Sequence, residues 1–395
     1  MKIILFHIFN LITVMVFLSS CGRQTAARHG GGDTLTFRYA RRLMVEQHDG
    51  YTVATLYNPW HEGKVLHRYV LVPRTADPAA LGLSAHDGTI VRTPLRRSVV
   101  FTTVHCALME MLGQEQHIAG VADLKYIKLP YIHRQVKAGR IVDCGDGMSP
   151  VIEKIIDLHP DAIFLSPFEN SGGYGKLEEI DIPIIECAEY MEGSPLARAE
   201  WMRFYGMLFG CEQRADSLFE VVDSSYHALK TLAASHQAEK GKTVKSKTVN
   251  RESERSVLLD KVTGSVWYVP GGRSTIGQML ADARCHYPWA ADEHSGSVSL
   301  PFETVLEKAG ESDIWLFRFS ADHLISYSEL LAEHPGYSQF RAFRNKQVYG
   351  CNVEQSLFYE ESPFRPDYLL SDFIKILHPE VPGLPALRYY QKLHE

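Results

Sequence analysis

The residues best suited to binding chemistry here are rings, arginines and hydroxyls that follow short apolar runs. If those runs are strands of an open α/β sheet, a crevice lies outside their carboxyl ends, and a side chain just past a strand faces any ligand. In the first half of the chain these are Thr103 and His105 after the run 97–104, Tyr126 in the next loop, and Phe168 and Tyr174 around Gly172-Gly173. In the second half they are Trp267, Tyr268 and Arg273 around Val269-Pro270-Gly271-Gly272-Arg273-Ser274-Thr275, then Trp289 and Arg318. Aromatic faces suit a large flat or greasy ligand, and an arginine suits its carboxylates or phosphate. The Gly-Gly-Arg-Ser-Thr turn reads in two ways, as an anion site made of free N–H groups at a helix start or as an ordinary capped helix. His105 likewise reads as ligand-facing or as a satisfied structural histidine.

Motifs for catalysis are missing. There is no GxSxG, HExxH, P-loop or dinucleotide fingerprint, and Gly172-Gly173-Tyr174-Gly175-Lys176 has the wrong spacing for a phosphate loop. A two-lobed enzyme therefore stands only as an alternative. Eighteen histidines keep direct Zn or Mn capture open as another, although no HxH or His-rich loop is present. No resident cofactor or metal is expected. With 41 basic against 47 acidic residues the net charge is −6, which leaves no electrostatic footprint for nucleic acid or an anionic lipid surface.

The first residues carry their own chemistry. Lys2, an apolar run over 3–18, then Ser19, Ser20, Cys21 and Gly22 make a basic start, a core too short and polar to span a membrane comfortably, and a small-residue cleavage site. Leu18-Ser19-Ser20-Cys21 resembles the lipobox of bacterial lipoproteins, which implies cleavage that leaves a lipid-bearing Cys21; an ordinary signal peptide is the other reading. The anchor would hold the chain to a membrane through lipid alone. The segment after Cys21 lacks the acidic residues of surface-export signals, which favours the periplasm. Six further cysteines, Cys106, Cys144, Cys187, Cys211, Cys285 and Cys351, are widely spaced with no CxxC, so buried free thiols are expected.

The elements that must position these groups follow from periodicity. At 395 residues and 45% apolar, the chain has material for two cores. Alternation over 34–73, with an Asp49-Gly50 turn, predicts a small N-terminal antiparallel β extension. Short β-branched runs separated by helical stretches predict parallel βαβ units on both sides of one long helix over 212–235, where Ala215, Leu218, Phe219, Val222, Tyr226, Leu229 and Ala233 recur at helical spacing. The expected fold is α/β, with two Rossmann-like lobes joined by that helix. Its parts are a lipoprotein signal peptide over 1–20, a flexible tether over 21–33, the β extension over 34–75, the first lobe over 76–195, connecting helices over 196–236, a charged linker over 237–256 and the second lobe over 257–395.

Each half contains one similar segment. Ile152-Glu153-Lys154-Ile155-Ile156 with Pro160-Asp161-Ala162-Ile163-Phe164 matches Phe302-Glu303-Thr304-Val305-Leu306 with Ser312-Asp313-Ile314-Trp315-Leu316. Each has a glutamate at a helix start, two aliphatics, a stop, an aspartate and a buried strand. Duplication or chance likeness of two αβ units would both produce this. With the lipobox and the single long helix between, the chain from about Arg97 resembles the type III substrate-binding proteins of ABC importers, the class serving iron chelates, haem and vitamin B12. That resemblance implies a monomer that catalyses nothing. It would hold an iron chelate or corrinoid between its lobes and dock one glutamate per lobe, here Glu153 and Glu303, onto an ABC importer permease dimer.

Overall fold

The computed structural model describes residues 32–169, 173–236 and 254–395, and the backbone alone of 237–243. The expected signal peptide, Cys21 and most of the tether lie outside the described residues. Five strands come first and neighbour one another in chain order: β1 (Asp33–Leu35), β2 (Leu43–His48), β3 (Tyr51–Tyr57), β4 (Val65–Pro73) and β5 (Thr89–Thr93). The first four are antiparallel, and β2 turns into β3 at Asp49-Gly50, where Gly50 takes a φ of 85° that a side chain resists. The expected antiparallel extension is present as β1 to β4, and β5 adds a further strand at its edge. It runs parallel to β4 with Thr89 opposite Tyr69, and it comes from the stretch assigned to the first lobe. A parallel pair needs a long crossover, and 74–88 supplies it in turns, without the helical periodicity that would have marked it.

The first lobe follows as β6 (Ser98–Val100), α1 (Thr103–Met111), β7 (Ile118–Val121), α2 (Pro130–Lys137), β8 (Val142–Asp143), the hairpin β9 (Gly145–Asp146) and β10 (Ser149–Pro150), α3 (Ile152–Asp157), β11 (Ala162–Leu165) and β12 (Ile184–Glu186). Its parallel sheet has the order β12-β11-β6-β7-β8, so the chain builds outward from β6 on one side and then on the other. The β-branched run 97–104 ends early because the Thr102 side chain accepts the His105 N–H and caps α1. Ser149-Pro150 pairs with β9, and α3 starts only after Val151.

The connection is helical: α4 (Pro195–Glu200), α5 (Met202–Phe209) and α6 (Glu212–Thr243). Trp201 divides the stretch ahead of the long helix into α4 and α5, and α6 continues past 235 to reach 32 residues, roughly 48 Å. Ala215, Phe219, Val222, Tyr226 and Ala233 form its buried stripe. At Gly206 of α5 a Cβ would lie 2.6 Å from that of Ala215, so only glycine lets α5 and α6 approach so closely.

The second lobe contains β13 (Val257–Leu259), β14 (Val262–Thr263), β15 (Val266–Pro270), α7 (Thr275–Asp282), β16 (Ser297–Leu300), α8 (Phe302–Ala309), β17 (Ile314–Phe319), α9 (Tyr327–Glu333), α10 (Arg341–Arg344), β18 (Val348–Asn352), α11 (Phe358–Glu361), α12 (Pro366–Leu377) and β19 (Gln391–Lys392). β13, β17 and β18 are parallel, and β19 closes the sheet antiparallel. β14, β15 and β16 form a separate antiparallel sheet. Apolar side chains from the N-terminal sheet, both lobes and α4 to α6 join in one continuous core, where two had been expected. A satellite of Val99, Cys144, Ile155, Ile163, Leu165 and Leu177 covers the opposite face of the first-lobe sheet. All six described cysteines are free.

The two similar segments are structurally equivalent. α3 precedes β11 and α8 precedes β17, and in each case the aspartate before the strand ties down the start of the neighbouring parallel strand. Asp161 accepts the N–H groups of Arg96 at 2.7 Å and Arg97 at 3.0 Å just ahead of β6. Asp313 accepts the N–H and hydroxyl of Ser256, at 2.9 and 2.8 Å, just ahead of β13.

Two buried carboxylates fasten the N-terminal sheet to the helical connection. Glu200, at the end of α4 and fully buried, accepts the N–H groups of Arg38 at 2.8 Å, Tyr39 at 2.7 Å and Ala40 at 2.9 Å. Glu192 accepts the N–H groups of Arg41 and Arg42 and the Trp201 indole, the last at 2.9 Å. Arg38 and Tyr39 then reach Asp223 on α6, at 2.7 and 2.8 Å. Replacing Glu200 with Gln would turn an NH2 group toward N–H donors and leave buried groups unsatisfied. Urea denaturation of Glu200→Gln is expected to show a loss of about 2–3 kcal/mol; a loss within about 0.5 kcal/mol would show that these bonds carry no stability.

Candidate functional site

β6 is the point where the first-lobe sheet reverses its building direction, and the loops beyond the carboxyl ends of β6 and β11 part there, as they must when successive crossovers leave on opposite sides. Between them lies a cavity of about 720 Å³, within the range of small-molecule sites. Phe101 and Thr102 enter it from the end of β6, and Ser166 and Phe168 from the end of β11. The β9–β10 turn brings Met148, and the start of α3 brings Ile152 and Glu153. Phe168 and Met148 are exposed, 48% and 79%, which is unusual for apolar side chains unless something covers them. Asp123, Glu153 and Lys176 supply the charged part of the lining.

Tyr174 forms a shared wall. Its hydroxyl donates to Glu186 at 2.6 Å, and its ring borders both this cavity and a larger one, about 1020 Å³, between the N-terminal sheet and the β12 edge. Burial raises the Glu186 carboxyl above its ordinary value, while the Tyr174 hydrogen bond pulls it down. The larger space is bordered by groups already engaged with each other, Arg74 with Asp161 and His67 with Thr89 among them. The smaller cavity, at the sheet's reversal point, is the better candidate for a ligand site.

The second lobe meets the first beside this cavity. Thr102 lines it, and the next residue, Thr103, donates its hydroxyl across the lobes to Glu360 of α11 at 2.9 Å. Lys128 adds its backbone N–H to the same carboxylate at 3.3 Å and pairs its ammonium with Glu354. Tyr126 is 61% exposed, beneath the Lys125 ammonium. On the second lobe Arg318 lies near the carboxyl end of β17, held by Asp260 through Nε at 3.1 Å and Nη2 at 2.9 Å, with Phe358 beneath it. Burial alone would lower its pKa, but the Asp260 charge and hydrogen bond outweigh that and raise it, so it is a permanent cation.

Phe168, Tyr174 and Glu153 are thus brought together, and Thr103 adjoins the lining residue Thr102, whereas Tyr126 lies in the loop after β7 and does not line the cavity. The other candidates are placed differently. His105 is 2% exposed and engaged by Thr102, by the Tyr205 hydroxyl at 3.0 Å and by Glu189 at 3.4 Å, which is the structural-histidine reading. Trp267 is fully buried against Trp315, its indole donating to the Leu259 carbonyl, and Trp289 is 5% exposed. Tyr268 is exposed, but on the separate antiparallel sheet, so the rule of carboxyl-end crevices does not apply to it. Arg273 pairs with Glu293 on the surface. Its turn is an ordinary capped helix: Ser274 accepts the Gly277 N–H at 3.0 Å, and the carbonyls of Ala290 and His294 pack on Gly272 and Gly271, where they would repel an anion. Met148 and Asp123 were missed, although each follows a short strand. Glu360 has no local signal, since only the fold brings it opposite Thr103.

Glu303 is exposed in the first turn of α8, as Glu153 is in that of α3. Among the described residues, the one group with metal-ligand spacing is His236, His378 and Glu380, none of which lines the cavity.

Residues 99–354 match the periplasmic binding protein family, which leaves the strands β1 to β5 outside the match. Two uncharacterized lipoproteins of Methanocaldococcus jannaschii are similar in sequence. One is 27% identical over 74% of this chain and 67% of that protein. The other is 25% identical over 86% of this chain and 84% of that protein. Among solved structures, a periplasmic heme binding protein from Pseudomonas aeruginosa superposes with a TM-score of 0.58 at 14% identity, covering 76% of this chain and 99% of that one. An ABC-type Fe3+-hydroxamate transport protein from Saccharomonospora viridis gives 0.53 at 17%, covering 72% and 94%. The molybdate periplasmic binding protein MolA of Haemophilus influenzae gives 0.56 at 16%, covering 73% and 88%. These likenesses show the two-lobed fold.

The buried Glu189 has a consequence for acid stability. Burial would raise its carboxyl, but the charge and hydrogen bond of His105, with Arg198 and Tyr205, hold it down to about 2. A carboxylate lower in the folded than in the unfolded state, about 4.3, stabilises the fold above that value and loses the contribution as pH falls toward 2. Urea melts followed by circular dichroism from about pH 5 to 2 are expected to show a steeper loss for the wild type than for Glu189→Gln; parallel slopes would refute it.

Proposed function

Because the chain belongs to the periplasmic binding protein family, we propose that it is a lipid-anchored, monomeric carrier that captures an iron chelate, haem or a corrinoid and delivers it to an ABC importer without catalysing a reaction. The observation that carries this reading is the cavity at the first-lobe reversal point, with the apolar faces of Phe168 and Met148 open in it. Rings and a thioether suit a flat, greasy chelate. The heme-binding and hydroxamate-transport proteins with the same fold support this ligand class. Bare Zn or Mn is less well served, since the three-ligand group lies elsewhere among the described residues.

Glu153 lies at the cavity rim and in the first turn of α3, where the helix end tolerates an exposed carboxylate. With Glu303 on the equivalent turn of the other lobe, it forms the pair that would meet two basic sites on the permease dimer. Once one carboxylate docks, the second contact becomes effectively intramolecular. The lipid at Cys21 would hold the carrier beside the periplasmic face of its importer.

Titration with haem, a ferric hydroxamate and cobalamin, followed by Trp fluorescence, is expected to give one-to-one binding of one class. Phe168→Ala should weaken it about 5- to 10-fold, roughly 1–1.4 kcal/mol. Capture of none of the three would sink the reading. In cells, Cys21→Ser is expected to leave the membrane fraction, while Glu303→Lys, on the lobe away from the cavity, stays anchored, binds ligand and fails to support uptake. Normal uptake by that variant would remove the docking role.

A further inference from the structure

Far along the chain from the cavity, the end of the long helix meets the end of the closing helix. His236 of α6 places its Nε2 2.8 Å from the Glu380 carboxylate, and the rings of His236 and His378 stand 5.8 Å apart at 63°. His378 leaves α12 in a non-helical conformation, and the Val381 N–H closes a turn onto its carbonyl at 3.0 Å. That turn, with Pro379 inside it, brings His378 and Glu380 to one side. One ligand atom from each of His236, His378 and Glu380 lies within 4.8 Å of the other two.

One end of the His378 ring is anchored. The ring is 3% exposed, and Nε2 lies 2.8 Å from the Ala283 carbonyl at the end of α7. A carbonyl only accepts, so Nε2 donates to it, and Nδ1 is the nitrogen that can ligate once the ring is neutral. A histidine whose far nitrogen is held by a carbonyl is the usual arrangement of a metal ligand, because the hydrogen bond sets tautomer and ring orientation. We infer that His236, His378 and Glu380 form a transition-metal site of the Zn2+ class that clasps the end of α6 to the segment after α12.

Two imidazoles and one carboxylate suit Zn2+, Co2+ or Ni2+ and disfavour Mg2+ and Ca2+, which take oxygen ligands. Tetrahedral donors around such an ion stand roughly 3.4 Å apart, so binding would draw the group in from its 4.8 Å spread and part the 2.8 Å His236–Glu380 hydrogen bond slightly, within reach of these two partly exposed side chains. Three protein ligands leave the fourth position to water. Since none of these residues lines the first-lobe cavity, the inference stands apart from the proposed cargo.

The test uses the full chain, stripped with EDTA and titrated with Co2+ alone, then with Zn2+. One Co2+ per chain is expected, with visible ligand-field absorption that Zn2+ abolishes, and a thermal midpoint that Zn2+ raises and Mg2+ does not. His236→Gln and Glu380→Gln, both at partly exposed positions, should each weaken binding at least about tenfold. Their circular dichroism in EDTA should match the wild type. Absence of stoichiometric Co2+ binding, or equal binding by both variants, overturns the site. Unchanged chelate binding in His236→Gln keeps this outcome separate from that of the proposed carrier function.

Discussion

Backbone N–H groups that leave a sheet and turn inward have no ladder partner, and in a buried setting each must be satisfied or it costs stability. Residues 38–40 are in that position between β1 and β2, and the Glu200 carboxylate receives all three. The same solution recurs at the other terminus, where the buried Asp372 of α12 accepts the N–H groups of Arg388, Tyr389 and Tyr390, at 2.8, 2.8 and 3.2 Å. Burial raises the Asp372 carboxyl, and those backbone donors work against the rise. Both ends of the described chain are therefore fastened to helices, the first to α4 of the connection and the last to α12, which packs against α6. The connection is a braced bundle with strands on it, and the lobes share one apolar core through it.

That brace bears on how the lobes act on each other. Thr103 and Lys128 reach one carboxylate, Glu360, from the first lobe, and its burial makes the contact sensitive to displacement. The cavity lies one residue away, at Thr102, and the rim glutamate of α3 shares its helix end with the lining residue Ile152. The proposed cargo cavity and the proposed docking glutamate are thus separated by less than a helical turn in the first lobe, while the second lobe repeats the helix and aspartate clamp around Glu303.

Local signals were legible where the physics is local. The N-terminal hairpins, the bounds of α8 and β17, and the stripe of α6 follow from alternation, capping and helical spacing. The split of 196–209 at Trp201, the parallel β5 and the separate sheet of β15 depend on partners distant in sequence, so periodicity could not show them. The site divided along the same line. Phe168 and Tyr174 follow β11 and face the cavity, as the carboxyl-end rule requires. Trp267 and Trp289 are aromatic for packing, which composition cannot tell from binding. His105 looked ligand-facing because its partner Tyr205 lies on α5, 100 residues away.

The fastening of residues 38–42 also dictates an order of assembly. Their acceptors, Glu192, Glu200 and Asp223, lie 150 to 185 residues further along the chain. A polypeptide emerging N-terminus first, from a ribosome or through a membrane channel, exposes its opening strands long before those carboxylates appear. The first sheet can pair its own hairpins early, yet it cannot seat on the rest until the middle of the chain has followed. High contact order at the leading end therefore defers its seating until the middle of the chain is available.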